Sequence, residues 1–278
     1  MDAGKANDMK QRATACEIRR SVILSLAEAG SGHLGGSLGL ADIFTALYFG
    51  ILRHDPGNPQ WEGRDRVILS IGHVAPVLYS TLAHAGYFPV SELTTLRKLG
   101  SRLQGHPGRD HGLPGLELSA GSLGQGLSVA SGMALAGKLS QARWKVYCIM
   151  GDGELQEVSV WEAAMAAAHH RLDNLVAIVD RNGVQIDGHT EQVMALEPLE
   201  SKWRSFGWNA ALCDGNDISG FTAAVKALPE SSGKPSVILA RTRMGCGVPS
   251  IEGDYRWHGR APSKEQAARF IKELDHEL

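Results

Sequence analysis

Cysteine is scarce in this sequence and nowhere clustered. Cys16, Cys148, Cys213 and Cys246 are its four. None stands in a C-x-x-C arrangement, which excludes a zinc knuckle and a dithiol redox motif. So few cysteines in 278 residues cannot build a disulfide framework, and a reducing cytoplasm fits. No apolar run approaches the roughly 18–20 residues needed to span a bilayer. The first twelve residues are polar and lack the apolar centre of a secretion signal. Charge of one sign is also lacking, since 28 basic and 30 acidic residues leave a formal net charge of −2. Such a balance offers no field to attract nucleic acid or an anionic membrane. A phosphorylated substrate would have to be gripped by a local cluster. No H-E-x-x-H or comparable ligand spacing occurs, which disfavours a zinc hydrolase built on the histidines.

What is present is a hydrophobic fraction of 43%, enough for a sizeable core. Its periodicity alternates between helical and extended patterns. Helices are predicted at 10–29, 39–50, 74–85, 124–140, 158–170, around 195–206, 218–228 and 263–276. Strands are predicted at 66–70, 144–149, 174–180, 208–212 and 236–240. The glycine- and proline-rich stretch 100–122 reads as an irregular loop, and a loop of that length is more often functional than idle. Continuous apolar strands alternating with helices predict an α/β fold, a parallel sheet covered by helices on both faces. No composition shift marks a linker, so residues 1–278 read as one domain.

Residues 146–188 carry the most chemistry. A buried strand runs into Gly151-Asp152-Gly153, and a helix follows. A second strand ends just before Asn182. Ligands of open parallel sheets sit beyond the carboxyl ends of the strands. The glycines let backbone N–H groups come close to an anion, while Asp152 and Asn182 each offer a hard oxygen. Together with a backbone carbonyl they suit Mg2+ or Ca2+ held against a diphosphate. A lone Gly-Asp-Gly is also an ordinary turn. The strand before it, the helix after it and the asparagine after the next strand separate the two readings.

At this point the chain resembles the thiamine-diphosphate-binding domain of transketolase, over nearly its whole length. Ser31-Gly32-His33, Arg64-Asp65-Arg66 leading to Gly72-His73, Gly105-His106-Pro107, Gly121-Ser122-Leu123-Gly124-Gln125-Gly126, Asp214-Gly215-Asn216-Asp217 and His258-Gly259-Arg260-Ala261-Pro262 follow that family's motifs in order. The resemblance implies thiamine diphosphate as cofactor, with Asp152, Asn182 and the backbone carbonyl of Val184 as ligands of the divalent metal. It implies that His73 and Gly153 contact the diphosphate, and that Gly121 and Leu123 line the cofactor pocket. His33 and His106 would face the reacting ring and the sugar hydroxyls, and His258 would serve both diphosphate and substrate. Glu157 and Glu162 would belong to a carboxylate network at a subunit interface, although Glu157 could merely favour a helix N-terminus.

Imidazoles suit this work because they donate, accept and shuttle protons near neutral pH. His54, His84, His111, His169, His170 and His276 read as packing or surface residues. Three positions depart from the resembled pattern: Ser122 stands where proline is common, Arg181 where Asn or Asp is frequent, and Asn216 where His is usual.

The chain stops where the resembled family continues. The resemblance does not extend to that family's pyrimidine-binding domain or to the basic residues that grip a sugar phosphate, which are expected on another polypeptide segment. The expected partner is a separate C-terminal transketolase subunit, with the pair forming a heterotetramer; the other explanation is that this sequence is a piece of a longer chain. The expected activity is transfer of a two-carbon ketol group from a ketose phosphate to an aldose. Two alternatives stand beside it: half of another thiamine-diphosphate enzyme, such as a deoxyxylulose-phosphate synthase, and a non-catalytic subunit that retains the fold.

Overall fold

The computed structural model describes residues 3–276. Five parallel strands form the main sheet: β1 (Arg66–Leu69), β2 (Val146–Gly151), β3 (Leu175–Arg181), β6 (Asn209–Asp214) and β7 (Ser236–Arg241), in the order β1-β2-β3-β7-β6. A short antiparallel hairpin, β4 (Val184–Gln185) and β5 (Gly188–His189), lies between β3 and β6 in sequence. Its strands are too short to show a periodicity, so the sequence pattern does not separate it from the loop around it.

The strands are apolar on both faces because both faces are covered. Val67, Leu69, Tyr147, Ile149, Val176 and Ile178 point into one core, shared with α1 (Ala3–Ala29), α3 (Ala41–Ala46), α4 (Ala75–His84), α9 (Ile218–Lys226) and α10 (Lys264–His276). The alternate residues Ile68, Val146, Cys148, Met150, Leu175 and Ala177 point into a second core. That core is roofed by α5 (Gly126–Leu139), α6 (Val158–His169) and α8 (Leu199–Ser205). The side-chain period of two divides each strand between the cores, and each fully buried aliphatic side chain adds about 1.5–3 kcal/mol. The α/β architecture with helices on both faces is the one expected.

Two helices are broken where the apolar periodicity runs through. The segment expected at 39–50 is α2 (Gly35–Gly39), α3 and a wide π turn at Leu47–Ile51. The segment near 195–206 is helical only over α8, with the separate short helix α7 (Thr190–Val193) before it, because Pro198 cannot continue a helix entering from its N-terminal side. His169 and His170, expected as packing or surface residues, are at the exposed C-terminal end of α6.

Strand register positions the site. Gly151 of β2 lies opposite Asp180 of β3, and the Asp152 N–H donates to the Asp180 carbonyl at 3.1 Å. Asp152 and, one residue past the end of β3, Asn182 therefore leave the sheet at the same carboxyl edge. Gly72, just beyond β1, is pressed against the irregular loop. A Cβ there would be 2.8 Å from the carbonyl carbon of Ala120, closer than real contacts allow, so only glycine lets the His73 turn and that loop meet.

Candidate active site

A cavity of about 400 Å³ opens over the carboxyl ends of β1, β2 and β3. Every residue singled out for a metal, cofactor or catalytic role lines it: His33, His73, His106 and His258, Gly121 and Leu123, Asp152, Gly153 and Glu157, and Asn182 and Val184. Glu162 is outside it, exposed on α6. Larger surface depressions occur elsewhere, but none gathers this chemistry.

The four histidines come from four separate segments: the loop after α1, the turn Gly72–Val74 after β1, the irregular loop, and the stretch before α10. The His33 ring centre is 4.9 Å from that of His73, 5.6 Å from His258 and 6.5 Å from His106. His73 and His258 are 5.1 Å apart. Burial lowers the pKa of each. For His33, burial and then His258 bring it down to about 4, and for His73 the same two causes bring it to about 3. His106 is lowered by burial and then by the Arg97 guanidinium, and His258 by burial. His33 and His73 are therefore neutral at pH 7, each with one ring nitrogen that donates and one that accepts. The buried Nδ1 atoms of His33 and His258 have no hydrogen-bond partner. Polar atoms left so in a cavity are what a polar ligand satisfies.

At the opposite wall, Asp152 is buried at the tip of β2. Its Oδ1 accepts from the Gly153 N–H at 2.8 Å. Its Oδ2 accepts from the Gly183 N–H at 2.7 Å and from Arg181 Nη1 at 2.9 Å. Gly183 takes φ +76, a conformation that glycine adopts without steric cost, and this aims its N–H back at Asp152. The Asn182 amide donates to Asp180 Oδ2 at 2.9 Å, while its Oδ1 accepts from the Val184 N–H at 3.0 Å. Burial pushes the Asp180 carboxyl up to about 7. Among the described residues no three His, Cys, Asp or Glu side chains are grouped to hold a metal ion. The donor set here is of another kind, one carboxylate, one amide oxygen and one backbone carbonyl, and hard oxygens of that mixture suit Mg2+ or Ca2+.

Several supporting residues stand outside the motifs that mark the site in the sequence. Glu154 is buried under the Gly-Asp-Gly turn. It accepts from the Ser70 hydroxyl, from the Gly124 N–H at 2.7 Å and from the Gly151 N–H at 3.2 Å, tying three strand-end loops together. Burial raises its pKa. Asp180 also takes the Thr242 hydroxyl, linking β3 to the end of β7. The signal for Asp180 is its charge at the end of an otherwise apolar strand, and for Glu154 its place two residues after Asp152. Arg97 adopts φ 61, and a Cβ on Gly105 would meet its Nη1 at 2.6 Å, so its guanidinium lies flat on glycine beside His106. Nothing in the sequence pattern marks it. Of the three departures, Asn216 donates to the Gly39 carbonyl and to Asp42 Oδ2, each at 2.9 Å, an anchoring role away from the cavity.

A parallel sheet whose strand tips hold oxygen donors, glycine turns and neutral imidazoles around one cavity is the architecture of a diphosphate-binding α/β domain. Residues 10–277 match the family model described as the thiamine diphosphate binding domain of transketolase. The chain is 42% identical over 260 residues to the 6-deoxy-6-sulfo-D-fructose transketolase subunit SqwG of Clostridium sp. (strain MSTE9), covering 94% of each. It is 40% identical to one of the subunits of the apulose-4-phosphate transketolase of Phocaeicola vulgatus, covering 94% of this chain and 92% of that one. The crystal structure of transketolase from Campylobacter jejuni superimposes with a TM-score of 0.87 at 32% identity, covering 99% of this chain and 43% of that one. Human transketolase, 38% identical, is likewise matched over 41% of its length. The chain belongs to the transketolase family and is its thiamine-diphosphate-binding, N-terminal part. It spans about two fifths of the length of those single-chain transketolases.

Proposed function

We propose that this chain is the cofactor- and metal-binding subunit of a two-chain transketolase that moves a two-carbon ketol group from a ketose phosphate to an aldose. The observation that carries the reading is the convergence of Asp152, Asn182 and four histidines from separate segments on one cavity. The relatives matched from end to end are named as subunits, which supports a partner chain. So does the surface of α6, where Val158 and Met165 are 72% and 62% exposed on one helix face with Glu162 between them. Exposed apolar side chains gathered beside a site mark a place for another chain. The four free cysteines fit a reducing compartment. A heterotetramer, two copies of each chain, is the assembly proposed.

In this reading Asp152 Oδ1, Asn182 Oδ1 and the Val184 carbonyl would hold Mg2+ or Ca2+ beside the diphosphate, which His73 and Gly153 would contact. Thiamine diphosphate, when bound, supplies the nucleophilic carbon and the electron sink for carbon–carbon cleavage. The chain's own share is orientation and proton handling. Neutral His33 and His106 donate to or accept from sugar hydroxyls, and His258 spans diphosphate and substrate. Gly121 and Leu123 shape the pocket and exclude water from it, and Glu157 lies where a partner's groups would meet the cofactor. The test is coexpression with the neighbouring gene, followed by ketol-transfer assays with ketose and with pyruvate donors. Turnover of ketose supports the reading. Turnover of pyruvate alone would move the chain to a deoxyxylulose-phosphate synthase, and absence of Mg2+-dependent thiamine diphosphate binding would make it a non-catalytic subunit.

A further inference from the structure

We infer that Arg181 is the positioning residue of the metal site, aligning Asp152 and fastening the cavity flap to the strand tip; the inference rests on the proposed metal-binding reading. Arg181 is the last residue of β3, and its side chain is only 13% exposed. Its Nη1 donates to Asp152 Oδ2 at 2.9 Å and to the Thr190 hydroxyl at 2.7 Å. Its Nη2 donates to Glu191 at 2.7 Å and Glu197 at 3.1 Å. One guanidinium thus bridges the strand-end carboxylate and three residues of the segment 190–197.

The inner half of this arrangement sets the direction of Asp152. A carboxylate oxygen has two lone pairs. On Oδ2 both are used, by Arg181 and by the Gly183 N–H. On Oδ1 only one is used, by the Gly153 N–H. The open lone pair is therefore on Oδ1, so Asp152 is prepared to bind a cation through one oxygen. A freely rotating carboxylate would have to lose that freedom on binding. Lysine, a point charge without the planar fork, could reach Asp152 but could not hold both halves in register.

The outer half holds the flap. Glu191 also accepts from the N–H groups of Leu196 and Glu197, so the guanidinium closes a loop on itself. That loop continues from 184–187, whose residues wall the cavity, with Ile186 and Asp187 exposed at its rim. Without the clamp, the segment 190–197 would lose its tie to the tip of β3.

The test is titration of thiamine diphosphate into the coexpressed complex over a Mg2+ series, with Arg181→Met, Arg181→Lys and the double variant Glu191→Gln/Glu197→Gln. Thermal unfolding without Mg2+ monitors the fold. Residues that orient metal ligands from behind typically change affinity 10–100-fold. Arg181→Met should therefore raise the half-saturating Mg2+ concentration by at least about tenfold, with partial recovery in Arg181→Lys. The double carboxamide variant should leave the Mg2+ requirement nearly intact while speeding proteolysis within 183–197. A Mg2+ requirement unchanged in Arg181→Met, with the fold retained, overturns the inference. So does a lowered requirement, which would make the guanidinium a competitor of the cation. Wild type that binds no thiamine diphosphate at any Mg2+ concentration would instead overturn the reading of the site.

Discussion

The Asp180 carboxylate accepts the Asn182 side-chain N–H at 2.9 Å, and this bond decides which way the asparagine faces. An amide has a donor end and an acceptor end. With the donor end tied back to the strand, the oxygen is the end left toward the cavity wall, where it meets the Val184 N–H at 3.0 Å. Asp180→Ala would remove the acceptor and so release that constraint. It should raise the Mg2+ concentration needed for thiamine diphosphate binding by about 10–100-fold, as for other groups behind a metal ligand. Binding isotherms at several Mg2+ concentrations check it.

Asp152→Ala should abolish metal-dependent cofactor binding altogether, because the Gly183 N–H and the Arg181 guanidinium would lose their common acceptor together with the cation's carboxylate. Far-ultraviolet circular dichroism should stay close to wild type, since the substitution removes no side chain of either hydrophobic core. Retained affinity would remove Asp152 from the site.

Glu154→Gln keeps the shape of the side chain and changes its hydrogen bonding. The carboxylate accepts from Ser70, Gly124 and Gly151, whereas a carboxamide turns one of those contacts into donor against donor. Leaving a buried donor unpaired costs about 1–3 kcal/mol, and urea denaturation should show a loss of that order. The Gly124 loop should then become more open to proteolysis.

Acid should destabilise the protein through His33 and His73. Their folded pKa values, about 4 and about 3, lie below the ordinary 6.5. Above pH 6.5 they are neutral whether folded or unfolded. Between 6.5 and 4 the unfolded chain binds protons that the folded chain refuses, so unfolding takes up about one proton per histidine and stability falls as pH falls. The double variant His33→Gln/His73→Gln should flatten the dependence of denaturant midpoint on pH across that window. An unchanged dependence would assign the acid sensitivity to other groups.

His106→Ala should lower turnover by at least about 100-fold, the ordinary scale for losing one proton-handling side chain, and leave thiamine diphosphate affinity within a few-fold of wild type. His106 is exposed and lines the cavity from the irregular loop, not from the strand tip that carries Asp152. Single-turnover kinetics beside a binding isotherm separate the two effects, and an equal loss in both would move His106 to the cofactor.

The sheet is legible in the sequence because strands buried on both faces must carry continuous apolar runs, as β2 does, β3 over 175–179 and β7 over 237–240. The edge strand β6, with its partly exposed residues, is legible for a different reason, its spacing between two helices. The breaks at 39–50 are not legible, since Leu47–Ile51 keeps helical periodicity while its backbone widens into a π turn. Trp161 reads as packing, and its ring does stand against Trp203 and Phe206, at 5.2 Å from each. Arg181 is visible as a departure but not as a clamp. A guanidinium's partners are chosen by what stands within reach of its fork, and Asp152 is 29 residues distant in the chain.

The sequence by itself determined the parallel sheet, the two turns at which Asp152 and Asn182 leave it, and the family to which those turns belong. The sheet and the turns follow from local periodicity and from residue types at short spacing, and the family from the resemblance of motifs in order along the chain. Only the tertiary structure decided that four histidines from four loops share one cavity, that Glu154 is the buried knot beneath it, and that Arg181 turns toward Asp152. Such pairings join segments far apart in the chain, and the direction of a side chain is set by the donors and acceptors that packing brings beside it.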